Sequence, residues 1–270
     1  MSQQRPAGQS TTVVENGRIV TPDAVVEGSV RIEGDRIEAV GESAAAAASR
    51  ETDTVDADDR LVLPGLIDLH GDDIEEHLHP RAGARMDTDL ALGAADRANL
   101  AAGITTKFHA MSFEDDPEED RSPELAAELT AAIESADDLL ADHRLHARCE
   151  VTQEACVDAV LDVIAAGDAD LVSVMSHIPG KGQFRDVDAF LEYYRNATDR
   201  SEAEAVEMIE ERGDIGMAEL QERIDRVVER AHEAGIVTAS HDDEDPREVE
   251  RLAESGVDIS EDPLTLETAQ

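Results

Sequence analysis

"LPGLIDLHGDDIEEHLHPRAG" spans residues 63–83. An apolar run of strand character ends there in His70 and Asp72, behind which three histidines and five acidic residues crowd into the stretch. On a strand, residues two apart point to the same side. The run therefore predicts a strand that delivers an imidazole and a carboxylate to one place.

From Leu61 onward the chain repeats this grammar. Short apolar runs alternate with longer stretches whose apolar residues recur at helical spacing. The predicted strands are 62–69, 104–110, 145–151, 171–177, 236–241 and 257–261. The predicted helices include 88–102, 123–141, 154–166, 217–234 and 246–255. "MAELQERIDRVVERAHEAG" (217–235) shows the pattern well and closes on a glycine stop. Some six β/α units in one run imply an α/β fold with a parallel sheet, of the (β/α)8 TIM type. A full barrel takes roughly 250 residues, more than 61–270 supply, and the last predicted strand is followed only by "LTLETAQ". The expectation is thus an incomplete barrel over 61–270 that lacks its last strands. Ahead of it, residues 1–60 are expected to form a small β-sandwich part, with Asn-Gly and Gly-Asp turns between alternating strands. Residues 43–59 read as a solvated excursion, and 195–216 as a polar insertion suited to a lid.

The composition bounds the function. The chain has 64 Asp and Glu against 23 Lys and Arg, a formal charge of −41. Such a surface lacks the basic footprint that nucleic acids need, and it repels anionic membranes. It suits concentrated salt, where screening acts over only ~3 Å at 1 M. No apolar run is long enough to span a bilayer, and the start has no signal-peptide core. Two cysteines make no disulfide framework. A reducing cytoplasm is the expected compartment, and a haloarchaeal type of protein the expected source.

In barrels the C-terminal strand ends carry the site. Here those ends present His70 and Asp72, then Lys107 and His109, Glu150, His177, and finally His241 with Asp242 and Asp243. Imidazole and carboxylate suit Zn²⁺ and its first-row neighbours. The candidate metal ligands are His70, Asp72, Glu150, His177 and His241, with Glu150 placed to bridge two ions. Such ions acidify water to a nucleophile near neutral pH. Asp242 and Asp243 are expected to orient His241 or cap the next helix. His109 reads as structural, Cys149 as a buried small side chain, His77 and His79 as loop residues, and "FEDDPEEDRSPE" (113–124) as a solvated loop and helix start. Lysine is otherwise avoided, so Lys107 and Lys181 stand out. With Arg81, Arg85 and Arg185 they form a candidate phosphate-binding set.

The segments "LPGLIDLHGDDIEEHLHPRAGAR", "GITT", "HRLHARCE", "VSVMSHIPGKGQF", "YY" and "ASHDD" resemble, in this order, the amidohydrolase superfamily. More narrowly they resemble the alpha-D-ribose 1-methylphosphonate 5-triphosphate diphosphatases of the carbon–phosphorus lyase pathway, whose first barrel strand carries His-x-Asp. The resemblance covers about residues 15–268. It implies the five metal ligands above, one or two divalent ions (zinc, with manganese as the other choice), a small phosphorylated substrate, and hydrolytic release of diphosphate. It also implies an Asp on the last barrel strand as ligand and proton acceptor; no residue here matches it, so no catalytic base is assigned. Other departures are His109 and Ser176 at normally acidic positions, Lys181 ahead of Gly182, and Asp262 at a normally aromatic one. Two alternatives remain: an amidohydrolase acting on a cyclic amide or amine, and a non-catalytic remnant or subunit that needs a C-terminal polypeptide partner. A homo-oligomer is a further expectation.

Overall fold

A computed structural model describes residues 10–42, 44, 52–81, 83–116, 121–178 and 215–270. The chain divides into two compact units, 1–65 and 66–270.

The first unit is a five-stranded sheet. β1 (Thr11–Val20) pairs antiparallel with β2 (Val25–Glu33), which pairs with β3 (Arg36–Gly41). On its other side β1 pairs in parallel with β4 (Thr52–Asp56) and β5 (Leu61–Val62). Gly34, at φ 63°, makes the expected turn between β2 and β3. The Asn-Gly step differs from expectation. Asn16 and Gly17 lie inside β1, where the register shifts and Asn16 takes φ 56°. This is a bulge, and a Cβ on Gly17 would stand 2.8 Å from Val62. β4 also falls within the segment expected to be a solvated excursion.

The second unit is α/β. Its six strands lie in chain order, β11-β10-β9-β8-β7-β6, all parallel. They are β6 (Leu66–Gly71), β7 (Ile104–Phe113), β8 (Asp142–Glu150), β9 (Leu171–Met175), β10 (Val237–His241) and β11 (Ile259–Glu261). Between them run α1 (Asp73–Leu78), α2 (Thr88–Ala101), α3 (Pro123–Ser135), α4 (Glu154–Ala166), α5 (Met217–Glu233) and α6 (Pro246–Glu254). The sheet curls without closing. Among the described residues β6 pairs only with β7 and β11 only with β10, yet His70 on β6 and Glu261 on β11 come within 3.3 Å. This is an incomplete barrel of six strands.

Period-two alternation sorts its side chains. On β8, Leu145, Ala147 and Cys149 join the core against α3, α4 and α5, where Leu129, Ile133, Val157, Val160, Ile224 and Val227 are buried. His146, Arg148 and Glu150 therefore face the concave side. Local signals start and stop the helices. Ser122 caps α3 by accepting from the Leu125 amide, with Pro123 in the first turn. Asp245 caps α6 through Arg247 and Glu248, and Gly167 ends α4 at φ 87°.

Two expectations need correction. Helix 123–141 stops at Ser135, because the buried Asp96 carboxylate accepts the amides of Leu140 and Ala141 and turns the chain. Residues 73–78 form α1, so His77 is helical and His79 is its C-cap. The insertion 195–216 lies outside the described residues but for Ile215 and Gly216. No described helix is long and apolar enough to cross a membrane.

Candidate metal centre

Every candidate ligand that the sequence singled out sits at the C-terminal ends of these strands. The structure sorts all but Asp72 into two groups and adds to each.

The first group is His70, His241 and Glu261, whose ligand atoms all lie within 4.8 Å of one another. Glu261 reaches His70 Nδ1 and His241 Nδ1, each at 3.3 Å. The two rings stack with centroids 5.1 Å apart. His146 lies edge-on to His70, with its ring nitrogens 3.0 Å from the Leu69 carbonyl and 2.9 Å from Ser173 Oγ. Hydrogen bonds to Asp72 and Glu261 push His70 up to about 9. Burial alone would raise Glu261, but the bonds from His241 and His70 outweigh it and hold this carboxyl well below its usual range. Burial pushes His146 down to about 4, so that ring is neutral.

The second group is Glu114, Glu150 and His177. His177 Nδ1 lies 2.8 Å from Glu150 and 3.5 Å from Glu114. Both carboxylates are buried, and Glu150 also accepts from the Thr152 amide and hydroxyl. Burial opposes charge on His177, but the two carboxylates prevail and raise it to about 10.

Asp72 stands beside the first group and outside it. β6 has ended at Gly71, and the Asp72 carboxylate, 65% exposed, is 3.5 Å from His70 Nε2. Asp242, at φ 58°, is 3.7 Å from His241 Nε2. Asp243 is buried and accepts from Ser240 at 2.6 Å and from Ser260, which ties β10 to β11. The helix cap falls to Asp245 instead.

The described members of the basic set lie apart from one another. Lys107 is buried in a clamp, 2.7 Å from Asp68 and 2.8 Å from Asp73. Its chain crosses Gly71, where any Cβ would collide with Lys107 Cε and Nζ. Asp68 in turn accepts from the His70 amide, so the clamp shapes the strand end that presents His70. Arg81 is exposed. Arg85 is bound to Glu128 at 2.6 Å and lines a pocket with His79 and Arg121. Arg121 reaches Glu114 at 3.4 Å, which brings that pocket beside the second group. Lys181 and Arg185 lie outside the described residues. His109 is buried against His143 at 2.7 Å, and His143 against Asp96 at 3.0 Å; burial holds His109 down to about 3. Both cysteines are free and buried.

Glu261, Glu114 and Arg148 were not singled out in advance. Glu261 ends a strand that the sequence does predict. Glu114 is hidden in the acidic run "FEDDPEED"; β7 runs three residues past its expected end and carries Phe113, Glu114 and Asp116 into buried positions.

The donor set fits a divalent ion. Each group offers imidazole nitrogen and carboxylate oxygen within one coordination sphere's reach, the ligand types of zinc and its neighbours. The raised His70 and His177 show that each pocket already favours positive charge.

No protein-family model matches the chain. The alpha-D-ribose 1-methylphosphonate 5-triphosphate diphosphatase of Escherichia coli (strain K12) is 28% identical over 261 residues, 96% of this chain and 68% of its own length. Among solved structures, 5-methylcytosine deaminase from Klebsiella pneumoniae matches 90% of this chain and 55% of its own, with TM-score 0.53 and 18% identity. An uncharacterized protein matches 93% and 60%, with TM-score 0.54 and 15% identity. The chain thus spans about two thirds of the curated relative's length and less of these two structures. The resemblance read in the sequence to the diphosphatase group is borne out as a similarity of sequence, and the two solved structures share the fold.

Proposed function

We propose that this chain carries the site of a metal-dependent hydrolase that releases diphosphate from alpha-D-ribose 1-methylphosphonate 5-triphosphate or a close relative. The observation that carries the reading is the pair of imidazole–carboxylate groups at the C-terminal ends of strands in one curled parallel sheet. The 28% identity to the diphosphatase over nearly the whole chain supplies the substrate class.

His70, His241 and Glu261 would hold one ion, and Glu114, Glu150 and His177 a second, zinc or manganese. A divalent ion there supplies Lewis acidity toward phosphoryl oxygen and acidifies water. The protein's own part is placement and charge. His146 stays neutral and fixes the wall behind the first group through the Leu69 carbonyl and Ser173. Asp72 and Asp262, two largely exposed carboxylates beside His70, are the described groups that would take up a proton. Arg121, in the pocket beside Glu114, would meet phosphate oxygens.

The test is diphosphate release from that triphosphate in molar KCl, with and without chelator. We expect activity that EDTA abolishes, that zinc or manganese restores, and that His70→Ala removes. Undiminished turnover by His70→Ala would sink the reading. A second reading keeps the metals but takes a cyclic amide or amine; Arg85's engagement with Glu128 favours it. Hydantoin or cytosine hydrolysis in the same assay, without diphosphate release, would establish it. We further propose that polypeptide bearing additional β/α units, carried with this chain or supplied by a partner, completes the open side. Added strands that restore turnover would support this.

A further inference from the structure

Arg148 differs from those arginines of this chain that are closely paired to carboxylates. Arg85, Arg144, Arg223 and Arg226 each hold a carboxylate oxygen within 2.8 Å, as expected where acidic residues abound. Among the described residues Arg148 has no such partner. Its nearest carboxylate oxygen, on Asp72, is 3.6 Å from Nη1. Its hydrogen bond runs from Nη2 to His241 Nε2, at 3.1 Å. Its Nε–H is buried and has no hydrogen-bond partner among the described residues. The side chain is only 9% exposed.

A buried donor left unmade costs about 1–3 kcal/mol, more for a charged group. Yet this guanidinium sits on the concave face of β8, between His146 beside the first group and Glu150 in the second. Asp72 is beside it, and its partner His241 meets Glu261. Two divalent ions would offset carboxylate charge around Arg148 and leave its guanidinium available to an anion. The planar fork of a guanidinium suits two oxygens of one phosphoryl group.

We propose that Arg148 is the anion receptor of this site, and that it takes phosphoryl oxygens of the substrate from between the two ligand groups. The proposal rests on the hydrolase reading above for its setting and names the residue that holds the diphosphate portion.

Inorganic diphosphate is the probe. Its binding would be measured by calorimetry on the zinc-loaded full chain at fixed KCl, for native protein, Arg148→Met and Arg148→Gln. Metal content would be read separately by atomic emission. The expected result is at least tenfold weaker diphosphate binding in both variants, from lost charge-assisted bonds, with the zinc content unchanged. Should Arg148→Met fail to fold, as judged by circular dichroism, Arg148→Gln decides alone. Diphosphate bound as tightly by the folded variants as by the native chain would overturn the proposal, and so would no binding by the native chain. If the native chain binds no zinc but its diphosphate binding still depends on Arg148, the receptor stands and the metal reading fails.

Discussion

At the residue scale the imidazoles are set against one another. His70 and His177 are raised to about 9 and about 10 by their carboxylates. Stability from these pairs is full below the unfolded imidazole value near ~6.5 and is lost as pH rises through the folded values. His146 and His109 are held down to about 4 and about 3. They must charge on unfolding in acid, so they remove stability as pH falls below that same value. We expect the metal-free chain, melted in EDTA at fixed KCl, to be most stable near pH ~6.5 as far as these four residues decide it. A melting temperature that climbs steadily from there to pH 9 would contradict the assignment. Zinc has the opposite preference, because ligation needs deprotonated rings. Adding zinc at pH 7.5 in dilute buffer should release protons, and a pH-stat reads them directly. His70, Glu150, His177 and His241 were legible because histidines are few and strand ends are predictable. Glu114 and Glu261 were not, because in so acidic a chain one more glutamate carries no signal until burial singles it out. Arg148 was hidden for a related reason, since its missing carboxylate shows only in three dimensions.

At the element scale the junction of β6 and α1 is held by a charged clamp. Lys107 bridges Asp68 on the strand and Asp73 on the helix, while Asn99 on α2 donates to Asp73 at 2.7 Å. Gly71→Ala would push the Lys107 chain out of this clamp. We expect a loss of roughly 2 kcal/mol, the scale of a charge-assisted bond, read as a lower denaturation midpoint, together with weaker zinc binding. Unchanged midpoint and zinc affinity would show the clamp to be dispensable. Asp96 plays a similar part behind β7 and β8, accepting the Leu140 and Ala141 amides and His143. Asp96→Ala leaves those buried donors unmade and should cost about 2–4 kcal/mol. Helix and strand existence followed from periodicity over most of the second unit. What periodicity could not reach were features set by contacts distant in sequence: the early end of α3, dictated by Asp96 on α2, and the bulge in β1, dictated by packing near Val62.

At the scale of the whole molecule, charge dominates. A formal charge of −41 on 270 residues opposes compaction in dilute buffer. We expect the melting temperature to rise steeply between 0.1 and 2 M KCl; a flat response would mean that carboxylate repulsion does not limit stability. The curled sheet adds a second consequence. Its edge strands share no backbone bond, yet the His70 and Glu261 side chains meet across the gap. An ion held by His70, His241 and Glu261 would act as a clasp on an unclosed hoop. It would set the curvature of the sheet as well as the chemistry at its rim. Clasping should be visible as slowed amide exchange in β6 and β11 together, two strands that do not pair with each other.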